Sequence, residues 1–162
     1  MTLRSAGILL HRRRSGAGTD GRGTEVLIAH MGGPYWEKKD AHGWSIPKGL
    51  IEPDEADLDA ALREFEEELG IAPPPVEYRR LGEFRVTSAK MLTVFAGAAD
   101  VEVTVLTSST FEVEWPPHSG RMQTYPEMDA AGWFDLATAR EKLVRGQAKV
   151  LDALEEALDE DV

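Results

Sequence analysis

The chain has 162 residues, a net charge of −11 and no cysteine. Its length predicts a single domain, residues 1–162, large enough to bury a core. The lack of cysteine excludes a disulfide framework and thiolate metal sites. No apolar run is long enough to cross a bilayer, so we expect a cytoplasmic protein without membrane contacts. The negative charge argues against binding long nucleic acid, but a small phosphorylated substrate remains compatible with it if a bound cation neutralises charge locally.

The first third of the chain predicts two strands and two loops. Residues 5–11 and 25–31 are apolar runs typical of buried strands. Residues 12–24, rich in glycine and arginine, predict a flexible hairpin loop. We favour exposure of its arginines to solvent over a phosphate-binding role. The loop at 31–43 sets Tyr35 and Trp36 beside two lysines. These aromatics could clamp a nucleotide base or pin the loop to the protein, and the sequence does not separate the two.

The segment 49–71 contains a predicted amphipathic helix with an acidic face. Pro53 and Asp54 suit its start, and Gly70 suits its end. Its apolar residues recur at helical spacing, namely Leu58, Leu62, Phe65 and Leu69. Four glutamates fall within five residues, namely Glu64, Glu66, Glu67 and Glu68. Three of the carboxylates project roughly opposite the apolar side, namely Glu64, Glu67 and Glu68.

These three carboxylates predict a metal site. Like charges so close together repel unless a cation lies between them. Oxygen ligands favour a hard ion, Mg²⁺ with Mn²⁺ as a substitute, over zinc. The alternative is a solvated acidic helix face, which is what most runs of charge are.

The second half of the chain predicts further strands and a terminal helix. We expect strands at 78–86, 90–98, 111–115 and 131–134, with a proline- and glycine-bearing loop before the last one. Residues 136–158 carry an apolar helical seam that Gly146 is placed to divide. Strands, one helix, more strands and a terminal helix predict an α+β fold or a mixed αβα sandwich.

A set of positions in the acidic segment resembles the signature of the Nudix hydrolases. The matching residues are Gly49, Glu55, Arg63, Glu64, Phe65, Glu67, Glu68, Gly70 and Ile71. A solvated acidic face would not explain the leading Gly49 and Glu55. Phe65 stands where an aliphatic residue is commoner, which leaves the acidic face unchanged. The resemblance implies a Nudix-type αβα sandwich with a mixed sheet and a C-terminal helix.

The resemblance also implies the roles of individual residues. Glu64 and Glu68 are the expected metal ligands, with Glu67 and the Gly49 carbonyl completing the shell. We assign Glu64 as the base that deprotonates water, oriented by Arg63, although family members differ on which glutamate acts. A fourth carboxylate often follows the signature, and Glu127 is the candidate. Glu112 and Glu114 are its rivals.

Substrate-binding residues are expected beside the metal and in the segment 115–129. Lys48 would lie next to the metal and contact phosphate. Arg121 could pair with a phosphate, and Tyr125 or Trp115 could stack on a base.

The segment 44–49 (WSIPKG) resembles the diadenosine polyphosphate and diphosphoinositol polyphosphate branch of the family. It therefore implies a magnesium-dependent hydrolase of phosphoanhydride bonds in nucleoside diphosphates linked to another moiety, with diadenosine polyphosphates favoured. The alternatives are a nucleoside triphosphate pyrophosphohydrolase acting on oxidised nucleotides, or a non-catalytic module that senses a nucleotide. A homodimer is compatible with the sequence.

Overall fold

A computed structural model describes residues 2–14, 23–103 and 106–161. Nine strands are present in these ranges: β1 (Leu3–Arg13), β2 (Thr24–Met31), β3 (Trp44–Ser45), β4 (Lys48–Leu50), β5 (Tyr78–Thr87), β6 (Lys90–Ala98), β7 (Thr110–Glu114), β8 (Met122–Pro126) and β9 (Met128–Asp135). The helices are α1 (Asp57–Leu69), α2 (Leu136–Lys142) and α3 (Ala148–Glu160), with a 3₁₀ turn at Arg145–Gln147.

Strand β1 organises a mixed seven-stranded sheet. It runs parallel to β6 on one side and antiparallel to its partners on the other. On that second side β2 pairs only with the end of β1, where Arg12 faces Glu25, whereas β4 pairs with its beginning, where Ala6 faces Gly49. The segment 44–50 is thus inserted where β1 and β2 separate, and this insertion fixes Gly49 in the sheet.

Helices cover both faces of this sheet, as expected for an αβα sandwich. Successive side chains of a strand point to opposite faces. Ile8 therefore packs with Phe65 of α1 on one face, and Leu9 packs with Leu151 of α3 on the other. The α+β class, the mixed sheet and the C-terminal helix are confirmed. None of the described helices is both long and apolar enough to span a membrane.

Helix α1 begins later than predicted. Its apolar side is buried as expected, with Phe65 and Leu69 inaccessible to solvent. The helix starts at Asp57, so the predicted start at Pro53 and Asp54 is wrong. Asp54 has a φ of 63°, a left-handed conformation that a right-handed helix does not contain. Gly70 ends the helix with a φ of 73°, as predicted.

The predicted loop after residue 115 is right as far as Arg121 and wrong beyond it. Strands β7 and β8 form a separate two-stranded hairpin, and β9 starts at Met128 instead of residue 131. The terminal helix is divided at Gly146, where an added Cβ would lie 2.1 Å from the carbonyl oxygen of Val86. At the predicted hairpin loop 12–24, Arg13 pairs with Thr24, and residues 15–22 lie outside the described residues.

Candidate active site

Gly49 brings strand β4 against the acidic face of α1. A Cβ built on this glycine would lie 2.0 Å from Cδ of Glu64 and 2.1 Å from its Oε2. No side chain fits such a gap, so only glycine lets the backbone approach this carboxylate so closely. The first and the central residues of the signature are therefore neighbours in space.

Arg63 ties the loop before α1 to the helix. Its guanidinium donates to Glu55 at 2.9 and 3.0 Å and to the carbonyl oxygen of Leu50 at 3.0 Å. It also donates to Glu64 at 2.8 Å and to Glu67 at 3.3 Å. The contact with Glu64 has the geometry expected of an orienting residue. The hydrogen bond from Arg63 lowers the pKa of Glu55 to about 2, and the sequence assigned no role to this carboxylate.

Glu68 is turned into the protein. Although it was predicted to project away from the apolar side, only 3% of it is exposed. Its Oε1 accepts a hydrogen bond of 2.9 Å from the backbone N–H of Lys48. The pKa of Glu68 is raised to about 8, mainly by burial; the charges of Glu127 and Glu64 contribute to this rise, and Lys48 opposes it. A carboxylate in this setting favours either a proton or a cation beside it.

Glu127 reaches the same region through the backbone. Its N–H donates to the carbonyl oxygen of Ser109 at 2.8 Å, and the Ser109 N–H donates to the Glu67 carbonyl at 2.8 Å. Burial raises the pKa of Glu127, opposed by Lys48 and reinforced by Glu67. Ser109 thus connects two acidic segments that are far apart in the sequence, a link that no sequence pattern indicated.

The rival carboxylates lie farther along the hairpin. The base of the hairpin is the pair Thr110 and Pro126. Glu112 faces Thr124 and Glu114 faces Met122, so both glutamates lie closer to the turn. Glu114 accepts a hydrogen bond of 2.9 Å from the His118 N–H within the turn. These positions favour Glu127 as the fourth carboxylate of the site.

The donor set fits a hard divalent cation. Within residues 2–14, 23–103 and 106–161, no three carboxylate or imidazole side chains already stand close enough to hold a metal ion. Arg63 lies between Glu64 and Glu67 and donates to both. The groups are nevertheless all oxygen donors, and burial raises the pKa of Glu64, with Glu67 and Glu127 adding to the shift. Oxygen donors that repel one another around a glycine backbone suit Mg²⁺ or Mn²⁺.

The substrate-binding residues predicted in 115–129 are spread along the hairpin. Trp115 and Arg121 flank its turn, where the Trp115 N–H donates to the Arg121 carbonyl at 3.0 Å. Tyr125 instead lies near the base, opposite Phe111. Arg121 and Tyr125 are four residues apart, which corresponds to roughly 14 Å at the usual rise of a strand. Arg121 and Glu127 are therefore at opposite ends of β8.

The loop after β2 contacts the hairpin through one of its two aromatic residues. The ring of Tyr35 meets that of Trp115 edge to face at 5.2 Å, and Nζ of Lys39 lies 5.2 Å from the centre of the Trp36 ring. The Gly32 N–H donates to the Glu127 carbonyl at 2.8 Å. The contacts of Tyr35 and Gly32 hold the loop against the hairpin, whereas the contact between Lys39 and Trp36 lies within the loop. Tyr35 remains 54% exposed.

The sandwich and the acidic site together define a class of protein. A mixed sheet lies between α1 and the pair α2 and α3, and the glutamates of α1 face an inserted Gly49. This is the arrangement that the sequence resemblance implied. The family model described as "NUDIX domain" matches residues 2–154. The chain belongs to the Nudix hydrolase family.

Individual relatives resemble parts or all of the chain. The asymmetrical bis(5'-nucleosyl)-tetraphosphatase of Sus scrofa is 39% identical over 71 residues, which cover 44% of each chain. The match thus spans less than half of that relative. A solved Ap4A hydrolase of C. elegans, in a binary complex, superposes with a TM-score of 0.68 and 17% identity, covering 98% of this chain and 99% of its own. The NUDIX domain of Shewanella oneidensis NrtR, complexed with ADP ribose, gives a TM-score of 0.62 and 14% identity over 98% and 89%. At these identities the solved structures show the shared fold.

Proposed function

We propose that this protein is a magnesium-dependent hydrolase that cleaves phosphoanhydride bonds in nucleoside diphosphates linked to another moiety, with diadenosine polyphosphates as favoured substrates. One observation carries the proposal: buried Glu68 accepts a hydrogen bond from the Lys48 N–H, and the next residue, Gly49, packs against Glu64. A buried and a partly buried carboxylate next to a lysine suit a site that holds a cation and a phosphate together.

The proposed chemistry is attack of water on phosphorus. Glu64 takes a proton from the water, whose oxygen bonds to phosphorus while the bond to the leaving phosphate oxygen breaks. Arg63 holds Glu64 in place through its 2.8 Å hydrogen bond and is itself fixed by Glu55. When bound, Mg²⁺ neutralises phosphate charge and stabilises the charge of the transition state. Glu68, Glu64, Glu67, Glu127 and the Gly49 carbonyl are the groups proposed to hold it.

The choice of substrate is supported by a named relative and by the sequence. The matching pig protein is named a bis(5'-nucleosyl)-tetraphosphatase, and the segment 44–49 resembles that branch. We also propose a small-molecule partner and a cytoplasmic location, with residues 1–162 acting as one domain. A homodimer stays a prediction.

A substrate panel with Mg²⁺ tests the proposal. Purified protein is incubated with diadenosine tetraphosphate, its guanosine analogue, ATP and an 8-oxoguanine nucleoside triphosphate, and kcat/KM is measured for each. We expect the two dinucleoside tetraphosphates to be cleaved at similar rates and far faster than the triphosphates. A strong preference for the oxidised triphosphate would favour the pyrophosphohydrolase alternative. Nucleotide binding without turnover of any compound would favour a sensing module.

A further inference from the structure

A cleft of about 560 Å³ opens beside the acidic site. Its walls come from parts of the chain that are distant in sequence, including Trp36, Lys48, Lys90 and Arg145. A smaller cavity of about 200 Å³ shares Lys48 and Lys90 and extends to Gly49. The two cavities share lining residues and lie between Gly49 and the connection between α2 and α3.

The charge of this cleft is opposite to that of the protein. The sequence has 29 acidic and 18 basic residues, yet the residues that line the cleft include two lysines and one arginine and no Asp or Glu. Among the described residues, none of these three cations forms a salt bridge, whereas Arg4, Arg12, Arg63, Arg79 and Arg140 each do. Three cations around one concave surface, none of them in a salt bridge among the described residues, suit a polyanionic ligand.

The wall that carries Arg145 is rigidly held. The Val144 N–H donates to the Trp44 carbonyl at 2.9 Å, and Oε1 of buried Gln147 accepts from the Ile46 N–H at 2.9 Å. The close approach of Gly146 to Val86 fixes the same turn against the end of β5. Arg145 is thus an exposed side chain on an anchored backbone, and it lines the same cleft as Lys90 at the start of β6.

Lys48 connects this cleft to the proposed chemistry. Its backbone N–H binds Glu68, and its charge lowers the pKa values of both Glu68 and Glu127. The same residue lines both cavities. A phosphate chain that begins at the carboxylates would therefore reach Lys48 first and the other two cations beyond it.

We infer that Arg145, together with Lys90, binds the phosphates of the substrate that lie beyond the cleaved bond, so that this cleft selects for long polyphosphate chains. This inference rests on the proposed function. It assigns chain-length selection to the connection between α2 and α3, in place of the hairpin turn that carries Arg121. Guanidinium groups pair with two phosphate oxygens at once, which suits Arg145 to this role.

A binding experiment independent of turnover tests the cleft. Inorganic tripolyphosphate is titrated by calorimetry, in the presence of Mg²⁺, into wild type, Arg145→Met, Lys90→Met and Arg80→Met. Arg80 is an exposed arginine of β5 that does not line the cleft, so its variant is the matched control. We expect Kd to rise about tenfold or more in each cleft variant and to stay within twofold in the control. Equal Kd values in all four proteins, or no binding to wild type, would overturn the inference.

A kinetic comparison tests the distal position. Arg145→Met is assayed with diadenosine tetraphosphate and with ADP-ribose, which has only two phosphates. We expect KM to rise for the tetraphosphate and to change little for ADP-ribose, with Arg145→Lys recovering part of the loss. An equal rise for both substrates would place Arg145 at the cleaved bond and overturn the inference. If wild type cleaves neither compound, the proposed function fails, and the calorimetry still decides whether the cleft binds phosphate.

Discussion

Gly49 and Glu64 are packed so closely that a methyl group on the glycine would lie 2.0 Å from the carboxylate carbon. The contact joins the inserted strand β4 to helix α1. It explains in steric terms why the signature, which runs from residue 49 to residue 71, begins with glycine. The contact also yields a test that leaves every ionisable group of the protein unchanged.

Gly49→Ala should reduce activity strongly while the protein stays folded. The added Cβ must displace Glu64, and a misplacement of about 1 Å at a reacting centre costs on the order of 10²-fold in rate. The measurement is kcat/KM on diadenosine tetraphosphate, with circular dichroism to confirm folding. Leu50→Ala, at an exposed neighbouring position, is the control and should keep wild-type activity. Full activity of Gly49→Ala would show that the position of Glu64 does not matter for turnover.

Glu64→Gln should lower kcat by about 10²–10⁴-fold, because the amide cannot accept the proton of the attacking water. Glu68→Gln should also lose most of the turnover, because it removes the charge of a proposed metal ligand. Glu66→Gln is the matched control, since Glu66 is an exposed glutamate of the same helix. Steady-state kinetics at saturating Mg²⁺ would compare the three variants. Near-normal rates in both Glu64→Gln and Glu68→Gln would remove this helix from the mechanism.

Mg²⁺ should raise Tm. An ion that binds only the folded protein at 100 times its Kd stabilises it by about 2.7 kcal/mol. For a chain of this size that corresponds to roughly 5–10 °C. Thermal unfolding with and without Mg²⁺ would measure the shift, which should be smaller in Glu68→Gln than in Glu66→Gln. An unchanged Tm would count against a metal site formed in the folded state.

The metal-free protein should lose stability as the pH rises from about 4.5 to about 8. The pKa of Glu68 rises from its ordinary value of 4.5 to about 8 on folding, so between these values the folded state holds a proton that the unfolded state has released. The stabilisation is therefore complete below the lower value and disappears as the pH passes the upper one. Urea unfolding in EDTA at several pH values would measure the free energy of unfolding.

Glu68→Gln should flatten this dependence, because glutamine does not titrate, and Glu66→Gln should retain it. An identical pH dependence in wild type and Glu68→Gln would show that another group is responsible.

Much of the site lies within one stretch of sequence and could be predicted from it. Three features depend on residues that are close together in the chain: the buried side of α1, its end at Gly70 and the contact of Arg63 with Glu64. Helical periodicity and a glycine stop are local properties, so a single sequence reveals them. The motif indicated the family for the same reason, since its spacing does not depend on the rest of the fold.

The tertiary structure alone decided what surrounds this helix. The hydrogen bond to Glu68 comes from inserted strand β4, and Ser109 links the backbone of Glu127 to that of Glu67. The prolines and glycine after residue 115 suggested a loop, whereas the flanking residues pair as β7 and β8. The proximity of Lys90 and Arg145 to Lys48 likewise joins three distant segments. Local patterns specify which element a segment forms, but which elements meet depends on packing across the whole sheet.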